Sequence, residues 1–89
     1  MRKAVVAVGI PAGLHARPAA RFVSLARDFS CDVWLGYADD EGSMVDAKSA
    51  LRVLGLDANE GDLLVLEADG ADEDRAIVVL SAFLRREGE

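Results

Sequence analysis

The chain has a single histidine, His15, which lies in the stretch GIPAGLHARPAARFV between Gly9 and Val23. Arg17 and Pro18 follow it, and an alanine-rich run with helical spacing begins there. The first amides of a helix have no intrahelical partner, so they and the positive end of the helix dipole favour an anion. Arg17 adds a permanent cation whose planar donor fork matches phosphate. A neutral imidazole beside such a site can accept a phosphoryl group, which the surrounding donors then stabilise.

A surface histidine without a chemical role is the alternative interpretation of His15, because even a side chain so often used in catalysis is frequently a bystander. The loop before it argues against that alternative. Gly9 and Gly13 allow the backbone there to adopt unusual dihedral angles and to approach a ligand closely. Together with Arg17 and the helix start, these glycines favour a reactive imidazole at an anion site.

The cations of this segment contrast with the acidic background of the chain, whose formal net charge is −6. Three arginines and no acid lie between His15 and Arg27. Arg17 and Arg21 are four positions apart, so they share one helix face, and Ser24 joins that face. This arrangement predicts a cationic docking surface for partners that are negatively charged near their own active sites, with a solvated polar face as the alternative.

Composition narrows the class of protein. The 89 residues are 52% hydrophobic and 29% charged, which is typical of a globular chain, and we expect a single domain spanning 1–89. An acidic chain with a pI near 4.6 is not expected to bind nucleic acid.

One cysteine, Cys31, excludes an internal disulfide and supplies too few thiolate ligands for a metal site, so we expect it to be a half-buried strand residue. No apolar run approaches the roughly 18 residues of a membrane span, and we expect a cytoplasmic monomer without metal or cofactor.

The periodicity of apolar residues predicts four strands and three helices in the order β-α-β-β-α-β-α. The strands are expected at 2–8, 31–37, 44–46 and 62–68. The helices are expected at 16–29, 47–54 and 71–86. This order predicts an α+β open-faced sandwich, in which a four-stranded antiparallel sheet carries the three helices on one face. An acidic hairpin at 38–43, to which the sequence assigns no role, joins the second and third strands.

Individual residues within these elements carry further expectations. In the second helix, Gly55 is expected just past the end, and either Asp46 or Ser49 serves as the N-cap. Lys48 and Arg52 repeat the spacing of four on this helix. The apolar positions expected to face the core in the first helix and the fourth strand are Ala19, Phe22, Val23, Ala26, Phe29, Leu64, Leu66 and Ala68. The charged residues expected in the terminal turns of the third helix, where they suit its dipole, are Asp72, Glu73, Asp74, Arg85 and Arg86.

The segment GLHARPAA, Gly13 to Ala20, resembles the active-site signature of the histidine-containing phosphocarrier protein (HPr) family of the phosphoenolpyruvate-dependent sugar phosphotransferase system. All eight positions of this motif match, and DAKSALRVLGL, at 46–56, is similar to the family's regulatory serine segment. Chain length and element order also match, so the resemblance spans essentially the whole chain. The chain departs from the family's pattern in two places. The dipeptide Leu54-Gly55 comes sooner after Ser49 than in many relatives, and the acidic hairpin at 38–43 is longer than usual.

The resemblance implies that His15 takes a phosphoryl group from phosphorylated enzyme I on its Nδ1 atom. His15 would then give the group to IIA domains of sugar permeases, so the protein is a carrier and not an enzyme with turnover of its own. Arg17 would neutralise the phosphoryl group, and the helix start at Ala16, Arg17 and Pro18 would cradle it. The docking surface that the resemblance implies consists of Ala16, Ala20, Arg21, Ser24, Ala50, Leu51 and Val53.

Ser49 matches the serine that a dedicated kinase phosphorylates in some members of the family. The resemblance therefore implies a serine kinase or phosphorylase as a further partner. A phosphate on Ser49 would place negative charge inside the docking surface and repel acidic partners. A role confined to capping the second helix is the alternative.

Three other functions are alternatives to a carrier of the sugar branch. A regulatory phosphocarrier of a nitrogen branch would use the same chemistry. An HPr-like co-effector would dock a regulator without carrying phosphate on histidine, although His15 and Arg17 argue against that as its only role. A small hydrolase of acyl phosphates would need a positioned water and a second polar group, which nothing near the motif clearly supplies, although Asn59 is the only asparagine available.

Overall fold

The structure is a computed structural model that describes residues 1–86, so the last three residues of the predicted domain 1–89 lie outside the described residues. Its elements follow the order β-α-β-β-α-β-α, as the sequence predicts. The strands are β1 (Arg2–Ala7), β2 (Asp32–Tyr37), β3 (Val45–Asp46) and β4 (Leu63–Asp69). The helices are α1 (Ala16–Arg27), α2 (Ala50–Gly55) and α3 (Glu73–Leu84). A short 3₁₀ turn, Glu41–Ser43, lies in the acidic hairpin between β2 and β3.

The four strands form one antiparallel sheet in the order β1-β4-β2-β3. The central strand β4 aligns Leu64 with Val6 of β1 and Leu66 with Leu35 of β2. Leu64, Leu66 and Ala68 are all buried, which confirms the predicted pleat. The helices cover this face, so the predicted α+β open-faced sandwich is confirmed.

Helix α1 packs on the sheet through the apolar stripe that the sequence predicts. Ala19, Phe22 and Ala26 have no exposed surface, and Val23 is also buried. The ring of Phe22 lies 6.2 Å, centroid to centroid, from the ring of Phe83 on α3, and its full burial contributes about 1.5–3 kcal/mol. The helix ends at Arg27, short of the predicted position 29, so the half-buried Phe29 packs from the following loop.

The ends of α2 differ in part from prediction. Ser49 is the N-cap, since its Oγ accepts the N–H of Arg52 at 3.3 Å, whereas the Asp46 carboxylate accepts a backbone N–H two residues further on. The expected position of Gly55 just past the helix is wrong, because Gly55 is the last helical residue. The left-handed residue follows two positions later and is Asp57, with φ 53°.

The predicted pairing of Lys48 with Arg52 on one helix face is wrong, because Lys48 precedes the N-cap and lies outside α2. Its Nζ donates to the carbonyl oxygen of Phe29 at 2.7 Å, and the Nε of Arg27 donates to the carbonyl oxygen of Lys48 at 2.9 Å. These two hydrogen bonds therefore join the end of α1 to the start of α2.

Helix α3 is shorter than predicted at both ends. Glu73 and Asp74 lie in its first turn and Asp72 is its N-cap residue, which agrees with the expected dipole pattern. Arg85 and Arg86 follow the last helical residue, so the expectation that they occupy the last turn is wrong. Arg86 adopts a positive φ of 66°, a backbone conformation that cannot continue a right-handed helix.

The Asp72 side chain does not cap its own helix but holds the chain that leads into β2. Its carboxylate accepts the N–H of Ser30 at 2.8 Å and that of Cys31 at 2.9 Å. The hydrogen bond from Ser30 is the main reason that the pKa of Asp72 is lowered from its ordinary value of 3.8 to about 2. Cys31 is 2% exposed, so the expectation of a half-buried residue is wrong, and burial raises the pKa of its thiol to about 11.

Because the pKa of Asp72 is lower in the folded chain than in the unfolded chain, its ionised form stabilises the fold at pH above about 4. That stabilisation is lost as the pH falls towards 2. We expect Asp72→Asn to lower Tm at neutral pH and to flatten the decline of Tm between pH 4 and 2, as measured by thermal unfolding followed by circular dichroism. Asp39→Asn, in the exposed hairpin, is the control and should keep the wild-type profile. Parallel declines for wild type and Asp72→Asn would contradict this role.

Candidate functional site

His15 is the residue immediately before α1, as the sequence predicts. It adopts an extended backbone conformation with φ −122° and ψ 162°, and its side chain forms no capping hydrogen bond with the helix. The side chain is 32% exposed, so a docking protein can reach the ring without unfolding the chain. The imidazole therefore lies at a helix N-terminus whose donors are not used by a side-chain cap.

The helix start offers two free amides and not three. Pro18 has no N–H, and the N–H of Ala19 already bonds the carbonyl oxygen of His15 at 3.4 Å. This leaves the N–H groups of Ala16 and Arg17, which have no hydrogen-bond partner among residues 1–86. Of the predicted cradle residues, Ala16 and Arg17 can thus donate, whereas Pro18 contributes only its fixed backbone angle.

Ala16 carries a positive φ of 44° although it is not glycine. A side-chain-bearing residue in this region costs roughly 1–3 kcal/mol and persists only where the surrounding structure enforces it. The strained residue adjoins the only histidine. The orientation of the first helical amide is therefore set by the packing of the loop and of α1.

The predicted docking residues are mostly exposed. On α1, Ala16, Ala20, Arg21 and Ser24 face solvent together with Arg17, so the cationic face exists as predicted. On α2, Ala50 is exposed and Leu51 is 81% exposed.

Val53 is the exception among the predicted docking residues. It has no exposed surface, because it belongs to the core, and its prediction as a docking residue is wrong. Leu54, which was not among the predicted docking residues, is 41% exposed and lies one helical turn from Leu51. The apolar patch of α2 therefore consists of Leu51 and Leu54.

The structure adds two residues to the site that the motif did not reveal. The Nε2 atom of His15 lies 3.1 Å from Oδ1 of Asn59 and 3.6 Å from Oδ1 of Asp57. Asn59, the only asparagine of the chain, is therefore a second polar group at the motif, which the sequence did not clearly indicate. Asn59 is 44 positions from His15 in the chain, and no local sequence pattern indicates that the two meet.

The loop that carries His15 packs tightly on the turn that carries Asn59. The N–H of Leu14 donates to the carbonyl oxygen of Ala58 at 2.9 Å. Gly13 has φ 83°, and a Cβ atom at this position would lie 2.5 Å from the Ala58 oxygen and 2.9 Å from the Cα of Asn59. Glycine is therefore required here both for the backbone angle and for the close approach.

Among residues 1–86, no three histidine, cysteine, aspartate or glutamate side chains are grouped so that they could hold a metal ion. Within the same range, none of the helices has the length and apolar character needed to span a bilayer.

Comparison with known proteins places this geometry in a family. The family model described as "PTS HPr component phosphorylation site" matches residues 2–86. The phosphocarrier protein HPr of Buchnera aphidicola subsp. Acyrthosiphon pisum is 39% identical over 79 residues, which cover 89% of each chain. The HPr-like protein Crh of Bacillus subtilis is 39% identical over 82 residues, or 92% of this chain and 93% of Crh. The crystal structure of HPr-C-His from Thermoanaerobacter tengcongensis superposes with a TM-score of 0.86 at 34% identity, covering 94% of this chain and 91% of that one.

The chain therefore belongs to the HPr family of phosphocarrier proteins of the phosphotransferase system. Membership in this family implies interaction with enzymes of that system. Its relatives include both HPr and the HPr-like protein Crh, so the role within the family is a separate question.

We expect Gly13→Ala to destabilise the fold by about 1–3 kcal/mol, because the added methyl group would meet the Ala58 carbonyl and a positive φ disfavours alanine. Gly55→Ala is the matched control. It has nothing within 4 Å of the added atom and should leave stability unchanged or raise it by up to about 1 kcal/mol. Urea unfolding of the two variants beside the wild type measures both effects, and equal stabilities would contradict the close approach.

Proposed function

We propose that this protein is a phosphoryl carrier, which accepts a phosphoryl group on Nδ1 of His15 from phosphorylated enzyme I and passes it to IIA domains of sugar permeases. The observation that supports this most is the partly exposed imidazole at the uncapped start of α1, beside the exposed Arg17. Membership in the HPr family supports the same chemistry.

The transfer needs few groups from the carrier. The Nδ1 lone pair attacks phosphorus, the Nδ1–P bond forms as the donor's bond to phosphorus breaks, and the donor keeps that electron pair. The reverse step on an IIA domain regenerates free His15, so the protein has no turnover of its own. Arg17 and the amides of Ala16 and Arg17 offset the charge of roughly −2 that arrives with the phosphoryl group. The helix dipole adds only about 0.3–1 kcal/mol, which suits a group that must leave again.

The exposed surface around His15 supports brief docking by acidic partners. Arg17 and Arg21 supply positive charge on α1, and Leu51 and Leu54 supply a small apolar patch on α2. Cations beside small apolar patches suit a transient interface of at most roughly 1,200 Å². We place this carrier in the cytoplasm, acting as a monomer and as one domain over 1–89.

An HPr-like co-effector is the second candidate function. The 39% identity to Crh supports it, as does the position of Ser49 at the start of α2, next to the exposed Ala50 and Leu51. A phosphate on Ser49 from a serine kinase would change the charge of the docking surface, and both roles are compatible in one chain. A carrier of a nitrogen branch would use the same site, and phosphorylation rates with sugar-type and nitrogen-type enzyme I distinguish the two branches.

Incubation with phosphoenolpyruvate and enzyme I tests the carrier function directly. We expect a mass gain of one phosphate that is lost in acid and absent in His15→Ala. Arg17→Ala should accept phosphate at least about tenfold more slowly, because it loses a charge-assisted contact to the phosphoryl group. Arg75→Ala, an exposed arginine on α3, is the control and should react like the wild type. A folded protein that accepts no phosphate from either type of enzyme I would contradict the proposal.

Two substitutions separate the regulatory role of Ser49 from its capping role. Ser49→Asp keeps an acceptor at the N-cap and adds negative charge, so we expect stability near that of the wild type but slower phosphorylation by enzyme I. Ser49→Ala loses the cap, about 0.5–2 kcal/mol, but should be phosphorylated at the wild-type rate. Thermal unfolding and transfer rates measure the two properties, and an unchanged rate in Ser49→Asp would contradict regulation through charge.

A further inference from the structure

The two oxygens near the His15 ring restrict where its hydrogen can lie. Nε2 faces Oδ1 of Asn59 at 3.1 Å and a carboxylate oxygen of Asp57 at 3.6 Å. An amide oxygen and an ionised carboxylate can only accept hydrogen bonds. The nitrogen that meets them must therefore be the donor, and a neutral imidazole with hydrogen on Nε2 keeps its lone pair on Nδ1.

The backbone of Asn59 is held in place by two hydrogen bonds to Asp62. Its N–H donates to Oδ2 of Asp62 at 2.8 Å, and its carbonyl oxygen accepts the N–H of Asp62 at 3.0 Å. The preceding Ala58 is buried and bonded to Leu14, the neighbour of His15. The backbone that carries the Asn59 amide is therefore fixed on both sides relative to the loop that carries the His15 ring.

Asp57 acts on the same atom by charge. Its carboxylate is 83% exposed and lies beyond hydrogen-bond distance of Nε2, so its contribution is electrostatic and modest. Its left-handed backbone, with φ 53°, lies two residues before Asn59, so both acceptors reach His15 from one turn. A carboxylate at this edge disfavours a lone pair on Nε2 and favours the positive charge that the ring acquires when Nδ1 is phosphorylated.

We infer that Asn59 is a positioning residue, which holds hydrogen on Nε2 and so leaves Nδ1 as the nucleophilic nitrogen, with Asp57 favouring the same tautomer by its charge. During phosphoryl acceptance the Nδ1–P bond forms as the donor's bond breaks, and the hydrogen stays on Nε2, so no base is needed. This consequence for the reaction rests on the proposed function, whereas the tautomer is a property of the unphosphorylated protein.

Long-range ¹H–¹⁵N correlation spectra of the imidazole ring report the tautomer, and a single histidine makes the assignment unambiguous. We expect the wild type to carry hydrogen on Nε2 at about pH 8.5, where an ordinary imidazole is neutral. Asn59→Ala should lower the Nε2–H population and slow phosphorylation by enzyme I about five- to tenfold.

Two further variants separate positioning from a structural effect. Asn59→Asp keeps an acceptor oxygen and should restore both the Nε2–H population and the rate. Glu60→Gln, in the same turn and exposed, is the control and should change neither.

The inference is overturned if the wild-type ring carries its hydrogen mainly on Nδ1, or if a folded Asn59→Ala keeps the wild-type populations. Should Asn59→Ala fail to fold, the wild-type spectrum alone decides. The spectra need no enzyme I, so a failure of phosphoryl transfer would contradict the proposed function while the tautomer is judged independently.

Discussion

The site depends on one backbone contact, the hydrogen bond from the N–H of Leu14 to the carbonyl oxygen of Ala58. It joins the loop before α1 to the turn before β4, and Gly13 allows the two backbones to approach closely enough. The same turn is fixed to the end of β1, since Val8 donates to Asp62 and accepts from Gly61. The pairing of β1 with β4 thus determines where the ring of His15 meets its oxygen partners.

Charge around His15 is arranged on two sides. Arg17 and Arg21 extend from the helix start, whereas Asp57 approaches the Nε2 edge of the ring. Arg27, although part of the same cation-rich segment, hydrogen bonds the Lys48 carbonyl and supports the contact between α1 and α2. An acidic chain can therefore present a local cationic surface because only some of its cations are used in holding the helices together.

Local patterns in the sequence were sufficient to predict the strands, α1 and the position of His15, because each depends on the periodicity of neighbouring residues. The helix ends were predicted less well, since a cap is chosen by geometry, and Ser49 took the position that Asp46 could also have filled. Val53 was assigned to the docking surface from the family resemblance, whereas its burial is set by how the six-residue helix α2 packs on the core. Asn59 was not assigned to the site because its partner is 44 positions away, and only the sheet topology brings them together.

The burial of Cys31 has a practical consequence for chemistry on the whole molecule. With its thiol almost fully enclosed and its pKa raised to about 11, very little thiolate exists at neutral pH, and mild oxidants or alkylating reagents meet an inert sulfur. A cysteine introduced on the exposed face of α1 or α2 would thus be the single reactive thiol of the chain, so that a fluorophore or crosslinker can be attached next to the helices without first removing the native residue.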